Sequence, residues 1–405
     1  MRRWAGAWLA ATALTLIGTA VAARAVETPL RCHGADGYAA SFGGRRTFLL
    51  DPAPLLAAKQ KLKTDPAQQA AYQALIRKAD LALARAPGSV VTKTIVPPSG
   101  DKHDYTSLAP YWWPDPSKAD GLPYLRKDGE INPARSSAAY DRTAIEHLSD
   151  DVRTLSLAYY YSDDPKYAAK TASIVRVWFL DPATAMNPNM NYAQAVPGRE
   201  LGRAEGVLDS SGFQAVVDGV GLIAPSGALS RAEQTRLEAW FGRYVDWMQA
   251  SANGKAEDAA RNNHGMWFDA QLAGYALFAR RPDLAERVAT AFPSRRIDAQ
   301  FNPSGRLPEE MSRTRSLHYS VYALDAAYDV AEIGGCLGRD IWNYAGPGGR
   351  GLLRATDYVL GYRSHPGDWP GQEIRPDWAE VEALGVRAAR AWPGRIAAAP
   401  ADVPQ

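Results

Sequence analysis

The 405-residue chain has little of what ties a sequence to several large protein classes. It holds two cysteines, Cys32 and Cys336, and neither a Cys-x-x-Cys nor a His-Glu-x-x-His motif. Its six histidines, at positions 33, 103, 147, 264, 318 and 365, are scattered, which argues against a structural zinc site. Excess charge of one sign is missing too. Forty-six Lys and Arg stand against 44 Asp and Glu, a formal net charge of +2, so bulk electrostatics favour neither nucleic acid nor an anionic membrane. Beyond the first two dozen residues no run reads as long and apolar enough to cross a bilayer. Period-two runs rich in Val, Ile and Thr are scarce, and residues 90–96 are the one fair strand candidate.

What is present is helical patterning. Apolar residues recur at helical spacing over 54–63 and 66–86, then over 136–161, 164–180, 199–221, 230–251, 262–281, 283–300, 308–332 and 347–363. Ser230-Arg231-Ala232-Glu233 is a capping box, Pro282-Asp283 restarts a helix, and Gly334-Gly335 is expected to stop one. Paired helices with short connections predict an all-α fold, an (α/α) toroid or incomplete α/α barrel, with long loops forming a cleft at one end. The segment 87–135, rich in Pro and Gly and carrying Tyr111-Trp112-Trp113-Pro114, is the longest such loop. Twelve Trp and 19 Tyr exceed what a core alone demands and suit a cleft that holds sugar rings.

The organisation divides into three. Residues 1–25 read as a signal peptide, with Met1-Arg2-Arg3, an apolar stretch over 4–21 and small residues such as Ala23-Arg24-Ala25 at the cleavage site. Residues 26–365 form the catalytic domain, and 366–405 a C-terminal extension, partly disordered from Ala397 onward. A periplasmic or secreted protein is expected. In such an oxidising compartment Cys32 and Cys336 either form one disulfide or remain two free thiols.

Chemistry concentrates in Arg261-Asn262-Asn263-His264-Gly265-Met266-Trp267 and Arg315-Ser316-Leu317-His318-Tyr319-Ser320-Val321-Tyr322. On one helix, residues seven apart share a face, so Arg315 and Tyr322 are expected side by side, with His318 and Tyr319 between. β-Elimination from a uronic acid polymer needs this set. The C5 proton lies α to a carboxylate, so its removal builds charge that Asn263 and Arg315 can neutralise. His264 suits the base and Tyr322 the acid at the leaving oxygen; Tyr322 serves as base if a cation such as Arg315 lowers its pKa. Plainer readings compete: Asn263 and His264 as helix caps, Trp267 as core, Arg315 and Tyr322 as an ordinary buried pair, and Tyr319 as an equally placed phenol. Trp112 and Trp113 suit stacking on sugars or plugging the wall. Asn191, Tyr192 and Gln194 suit a cleft edge that binds hydroxyls. Arg199, Arg203 and Glu205 suit either a subsite lining or, the favoured reading, a solvated, salt-bridged helix face. Glu309 and Glu310 are adjacent and point apart, so they are no hydrolase pair; Glu310 is expected to hold Arg313 or cap its helix.

The Asn-Asn-His with a Trp three residues on, followed by the Arg and Tyr seven apart, resembles the alginate lyase superfamily. The chain is similar to polysaccharide lyase family 5, and more closely to family 38, whose members cut alginate or glucuronan; the likeness covers residues 90–335. It implies Asn263 and Arg315 as neutralisers, His264 and Tyr322 as the proton-transfer pair, Trp267 beside the sugar, and no metal or other cofactor. It also implies a substrate-covering loop at 99–105, carrying Lys102, His103 and Tyr105. Met266 stands where the family has a second aromatic. The expected partner is an anionic polysaccharide, with no nucleic acid, no stable membrane insertion once the leader is gone, and a monomeric enzyme. A glycoside hydrolase of the same architecture and a non-catalytic periplasmic glycan-binding protein are the rival readings.

Overall fold

The helices begin where short polar side chains cap them. Asp51 and Asp65 accept backbone N–H bonds at the starts of α1 (Pro52–Lys61) and α2 (Pro66–Ala84), each with proline in its first turn. Ten more α-helices of seven or more residues follow among the described residues: α3 (Arg142–Ser162), α4 (Pro165–Val175), α5 (Phe213–Ile223), α6 (Arg231–Ala250), α7 (Ala252–Asp258), α8 (Asn263–Phe278), α9 (Pro282–Phe292), α10 (Ser316–Cys336), α11 (Leu352–Leu360) and α12 (Trp378–Ala391). The capping box of Ser230 and Glu233 is formed at the start of α6. This computed structural model describes residues 31–396, so the leader and the tail from Ala397 lie outside the described residues.

Helices α3, α5, α8, α10 and α12 all send side chains into one central cavity of about 710 Å³, among them Arg153, Asp218, Trp267, Asp325 and Arg387. Outside them, α4 packs on α3 and α5, α6 and α9 on α8, and α11 on α10. This is the expected (α/α) toroid. Its wall is held by interlocked aromatics: Phe179 meets Trp240 edge-on at 4.7 Å between ring centroids, and Phe241 lies 5.4 Å from Tyr275. The α6 stripe of Leu237, Trp240, Phe241, Tyr244 and Met248 is buried as its spacing predicts. Each such side chain contributes about 1.5–3 kcal/mol through burial.

Several boundaries differ from the sequence pattern, each for a tertiary reason. Residues 90–96 form no strand; Ser89 caps a 3-10 turn, Val90–Thr92. The stretch 199–221 is split, with a 3-10 turn, Ala204–Ser210, ahead of α5. The span Ala204–Ser226 is apolar and long enough to pass for a membrane span by composition, contrary to the sequence reading, but most of it is buried in the toroid. The stretch 308–332 breaks after a short helix, Pro308–Met311, and α10 starts at Ser316. Gly334-Gly335 does not end that helix. Gly334 packs where a Cβ would come within 2.8 Å of Ile341, so the glycine serves close approach rather than termination.

Short strands pin the loops at one end of the toroid: β1 (Thr106–Leu108), β2 (Trp112–Trp113), β3 (Leu125–Arg126) and β4 (Tyr192–Ala195). β1 runs parallel to β4, and β2 pairs antiparallel with β3, Trp112 opposite Arg126. Cys32 and Cys336 are joined as a disulfide, which ties the N-terminal segment to the end of α10. The segment after residue 365, expected as an extension, is continuous with the core: α12 buries Val381, Leu384 and Ala388 against the cluster formed by α10 and α11.

Candidate active site

A second cavity, of about 830 Å³, opens at the loop end of the toroid. Asn263, His264, Arg315, His318, Tyr319 and Tyr322 all line it, together with Trp112 and Gln194. Two stretches about fifty residues apart in sequence therefore converge on one space.

The N-terminus of α8 presents the first pair. Asn262, rather than Asn263, is the cap, its Oδ1 accepting from the His264 amide at 3.1 Å. That leaves Asn263 and His264 free of the capping role. Asn263 instead donates its backbone N–H and its Nδ2 to Glu310, at 2.5 and 2.8 Å, and its buried Oδ1 has no partner. So Glu310 neither caps its own helix nor forms a contact pair with Arg313; it orients Asn263. The His264 Nδ1 lies 2.6 Å from Glu257 Oε1. A carboxylate only accepts, so Nδ1 carries the proton and Nε2 is the nitrogen left for other partners. Burial opposes a charge on His264, but the charge and hydrogen bond of Glu257, with Glu205 and Glu310 behind it, outweigh that and hold its pKa above the ordinary imidazole value. Burial also pushes up the Glu257 carboxyl.

If neutral His264 is the form that works, the acid limb of kcat/KM falls at this raised pKa. Glu257→Gln removes the charge that raises it, so the limb is expected to move to lower pH while the maximal rate drops. A pH–rate profile checks this; a limb that stays put or moves to higher pH contradicts a base role for His264.

The second pair differs from the helical reading. Arg315 is not within α10 but is its N-cap, at φ −122°, so it does not share a helix face with Tyr322. Its buried side chain lies closest to Glu373, Nε to Oε1 3.8 Å. The cation that acts most on the Tyr322 phenol is Arg142, not Arg315, and burial dominates both, raising the Tyr322 pKa. Tyr322 is stacked on His318, centroids 5.7 Å apart, and packed on Trp267 at 4.8 Å. His318 is held by Glu380, Nδ1 to Oε2 2.8 Å. Trp267 faces the central cavity and backs Tyr322 instead of lining the cleft. Tyr319 lies 2.5 Å from the Tyr111 hydroxyl, with the Arg313 guanidinium 3.8 Å from its ring centroid.

Besides Trp267, six expected binding residues are not brought to the cleft. Tyr105 is fully buried and donates to Asp209 at 3.0 Å. Lys102 reaches back to the Lys93 carbonyl, and His103 to the Ala185 carbonyl at 2.6 Å, so the 99–105 loop is stapled to the body. Trp113 turns outward, donating to the Glu130 carbonyl under the Lys127 ammonium. Asn191 accepts from Trp247 at the surface, and Tyr192 is paired in β4 away from the cleft. Gln194, at φ 50°, does enter it, donating to Asp209 at 2.9 Å and accepting from Arg203 at 3.0 Å. Arg203 and Glu205, expected on a solvated helix face, form a pair on the cleft wall.

Sequence reasoning missed the carboxylates behind the site and most of its arginines. Arg126, Arg135, Arg142 and Arg313 line the cleft unforeseen, beside Arg203. Glu257 precedes His264 by seven residues, the one local signal; Glu310, Glu373 and Glu380 are 47 to 62 residues from the groups they hold.

A helical toroid with an end cleft that gathers guanidinium, amide, imidazole and phenol is the architecture of an enzyme that works on acidic polysaccharides, and its class is polysaccharide lyase. Residues 89–369 match the family described as alginate lyase. An alginate lyase from Bacteroides ovatus shares 38% identity, with a TM-score of 0.84 over 88% of this chain and 97% of that one. Alginate lyase A1-III from Sphingomonas species A1 shares the fold at 17% identity, with a TM-score of 0.54 over 83% of this chain and 86% of that one. A variant of A1-III complexed with a tetrasaccharide gives a TM-score of 0.57 at 17% identity, over 84% and 86%. No curated protein sequence matches. The chain belongs to the alginate lyase family.

Proposed function

We propose that the enzyme cuts a 1,4-linked polyuronate, alginate or glucuronan, by β-elimination, leaving a 4,5-unsaturated uronate at the new end. Asn263 and Arg315 hold the carboxylate of the reacting sugar and take up the charge that develops there; one such preorganised donor is worth about a hundredfold to a thousandfold in rate. His264, through Nε2, removes the C5 proton. Tyr322, kept protonated by burial, gives its proton to the glycosidic oxygen at C4. The observation that carries this reading is the shared cleft: imidazole, phenol, amide and guanidinium line one space, and Glu257 fixes the imidazole tautomer.

A second assignment of the phenol has one observation in its favour. Tyr319 shares the cleft, is hydrogen-bonded to Tyr111, and lies against the Arg313 guanidinium; burial and Tyr111 raise its pKa more than Arg313 lowers it, so it too stands as a protonated phenol able to act as the acid. The other chemistries have less support. Of the cleft carboxylates, Glu257 is bound to His264, Glu205 pairs with Arg203, and Asp209 takes hydrogen bonds from Tyr105, Ser107, Gln194 and Arg142. Among the described residues that leaves Glu200 alone without a side-chain partner, and hydrolysis needs a pair of acids.

Incubation with alginate and with glucuronan tests the proposal. Unsaturated-product absorbance is expected; reducing ends without it would mean a hydrolase, and binding without any product a glycan-binding protein. An exported, periplasmic or secreted monomer fits the leader at 1–25, the Cys32–Cys336 disulfide and a cleft built from one chain. Recovery of the protein from the cytoplasm alone would refute export.

A further inference from the structure

The cleft is lined by six arginines, and five of them have a carboxylate to hand. Arg126 and Arg313 share Asp128 at 2.8 and 2.7 Å. Arg142 pairs with Glu146 at 2.6 Å, Arg203 with Glu205 at 3.2 Å, and Arg315 faces Glu373. Arg135 is different. Among the described residues no carboxylate forms an ion pair with it and its guanidinium makes no hydrogen bond; its Nε, like those of Arg203 and Arg315, is buried without a partner. A guanidinium carries five donors in a planar fork; here the Nε–H is buried without an acceptor while the outer N–H groups stay open to the cleft, where an incoming acceptor can meet them. The partner that matches the fork and the charge is a carboxylate.

Arg135 is also held in place. It sits on the 3-10 turn Pro133–Ser136, which Asn132 anchors from a buried position: its N–H donates to the Pro110 carbonyl at 2.7 Å, its Nδ2 to the Trp112 carbonyl at 2.8 Å, and its Oδ1 accepts from Ala134 at 3.0 Å. The wall that presents Arg135 is therefore the one that presents the Trp112 ring to the cleft. Asn263 and Arg315 come from other elements, the start of α8 and the start of α10.

We infer that Arg135 binds the carboxylate of a sugar next to the one undergoing elimination, and so makes the enzyme select chains that carry acid groups on consecutive residues. This rests on the polyuronate reading above. A homopolyuronate presents its next carboxylate one sugar along, whereas a polymer in which uronates alternate with neutral sugars leaves Arg135 without a partner.

Arg135→Gln, assayed on oligouronates of graded length, tests the assignment. On long chains KM is expected to rise about tenfold or more with kcat within about twofold, as for lost ground-state binding to a charged group. On the shortest oligomer that wild type cleaves, the penalty should vanish, and Arg135→Lys should recover part of the long-chain affinity. An unchanged KM at every length overturns the inference, and so does a loss of kcat equal at all lengths. Those failures leave the polyuronate reading standing. Wild type that makes no unsaturated product from any polyuronate overturns both.

Discussion

Tyr322→Phe is expected to cut kcat/KM on a polyuronate by about a hundredfold to ten-thousandfold, the range for loss of a positioned proton donor. The phenylalanine ring keeps the stack on His318 and the contact with Trp267, so the melting temperature and the substrate affinity should hardly change. Such a split, with rate lost and binding kept, marks a group that acts in the transition state. Tyr319→Phe is the comparison, because it removes a hydroxyl from the same cleft. That variant loses the bond to Tyr111 and should cost no more than about tenfold, the scale of one neutral hydrogen bond. If the two results come out reversed, the proton passes through Tyr319, and Arg313 becomes the cation that tunes it.

The largest stability effect is expected at Arg296. It is buried with Asp269, Nε to Oδ2 2.7 Å and Nη2 to Oδ1 3.1 Å, and it also donates to the Asp258 and Ala260 carbonyls at 2.9 and 3.0 Å. Those carbonyls end α7 and lead into Asn262, so Arg296 fixes the approach to the catalytic turn. Gly265 belongs to this arrangement: a Cβ there would come within 2.2 Å of the Ala260 carbonyl oxygen and 2.4 Å of Arg296 Nη1. Arg296→Met leaves the buried Asp269 carboxylate with no hydrogen-bonded cation, only Arg295 Nη1 at 3.8 Å, which should cost about 3–5 kcal/mol. In a chain of this size that lowers the melting temperature by several degrees. Adding Asp269→Leu should restore much of it, since removing both charges is far less costly than removing one. An unchanged Tm in the single variant, or a double variant no better than the single, would contradict the account.

The helices were legible because their signals are local. The Ser230 to Glu233 box and the α6 stripe read directly, and the toroid follows from helices paired through short connections. The chemistry of the Asn-Asn-His turn and of the 315–322 segment was legible as residue types. What could not be read is which groups stand behind them. Periodicity ran through 308–332 because Arg315 sits in a pattern that helix and cap both satisfy, and only packing against Glu373 decides between them. Lys102, His103 and Tyr105 fall where the family resemblance implies a substrate-covering loop, yet their polar atoms are spent on Lys93, Ala185 and Asp209. Burial removes a polar residue from function as readily as distance does, and neither is written in a linear motif.

The final helix gives the domain boundary a practical meaning. The family match stops at residue 369, but Glu373 and Glu380, which steady Arg315 and His318, lie beyond it. A fragment trimmed to the matched region would lose both counter-ions and bare the seam of Leu324, Val330 and Tyr328 that Leu384, Ala388 and Trp392 cover. Expression work and gene annotation alike should treat the stretch to residue 396 as part of the machine.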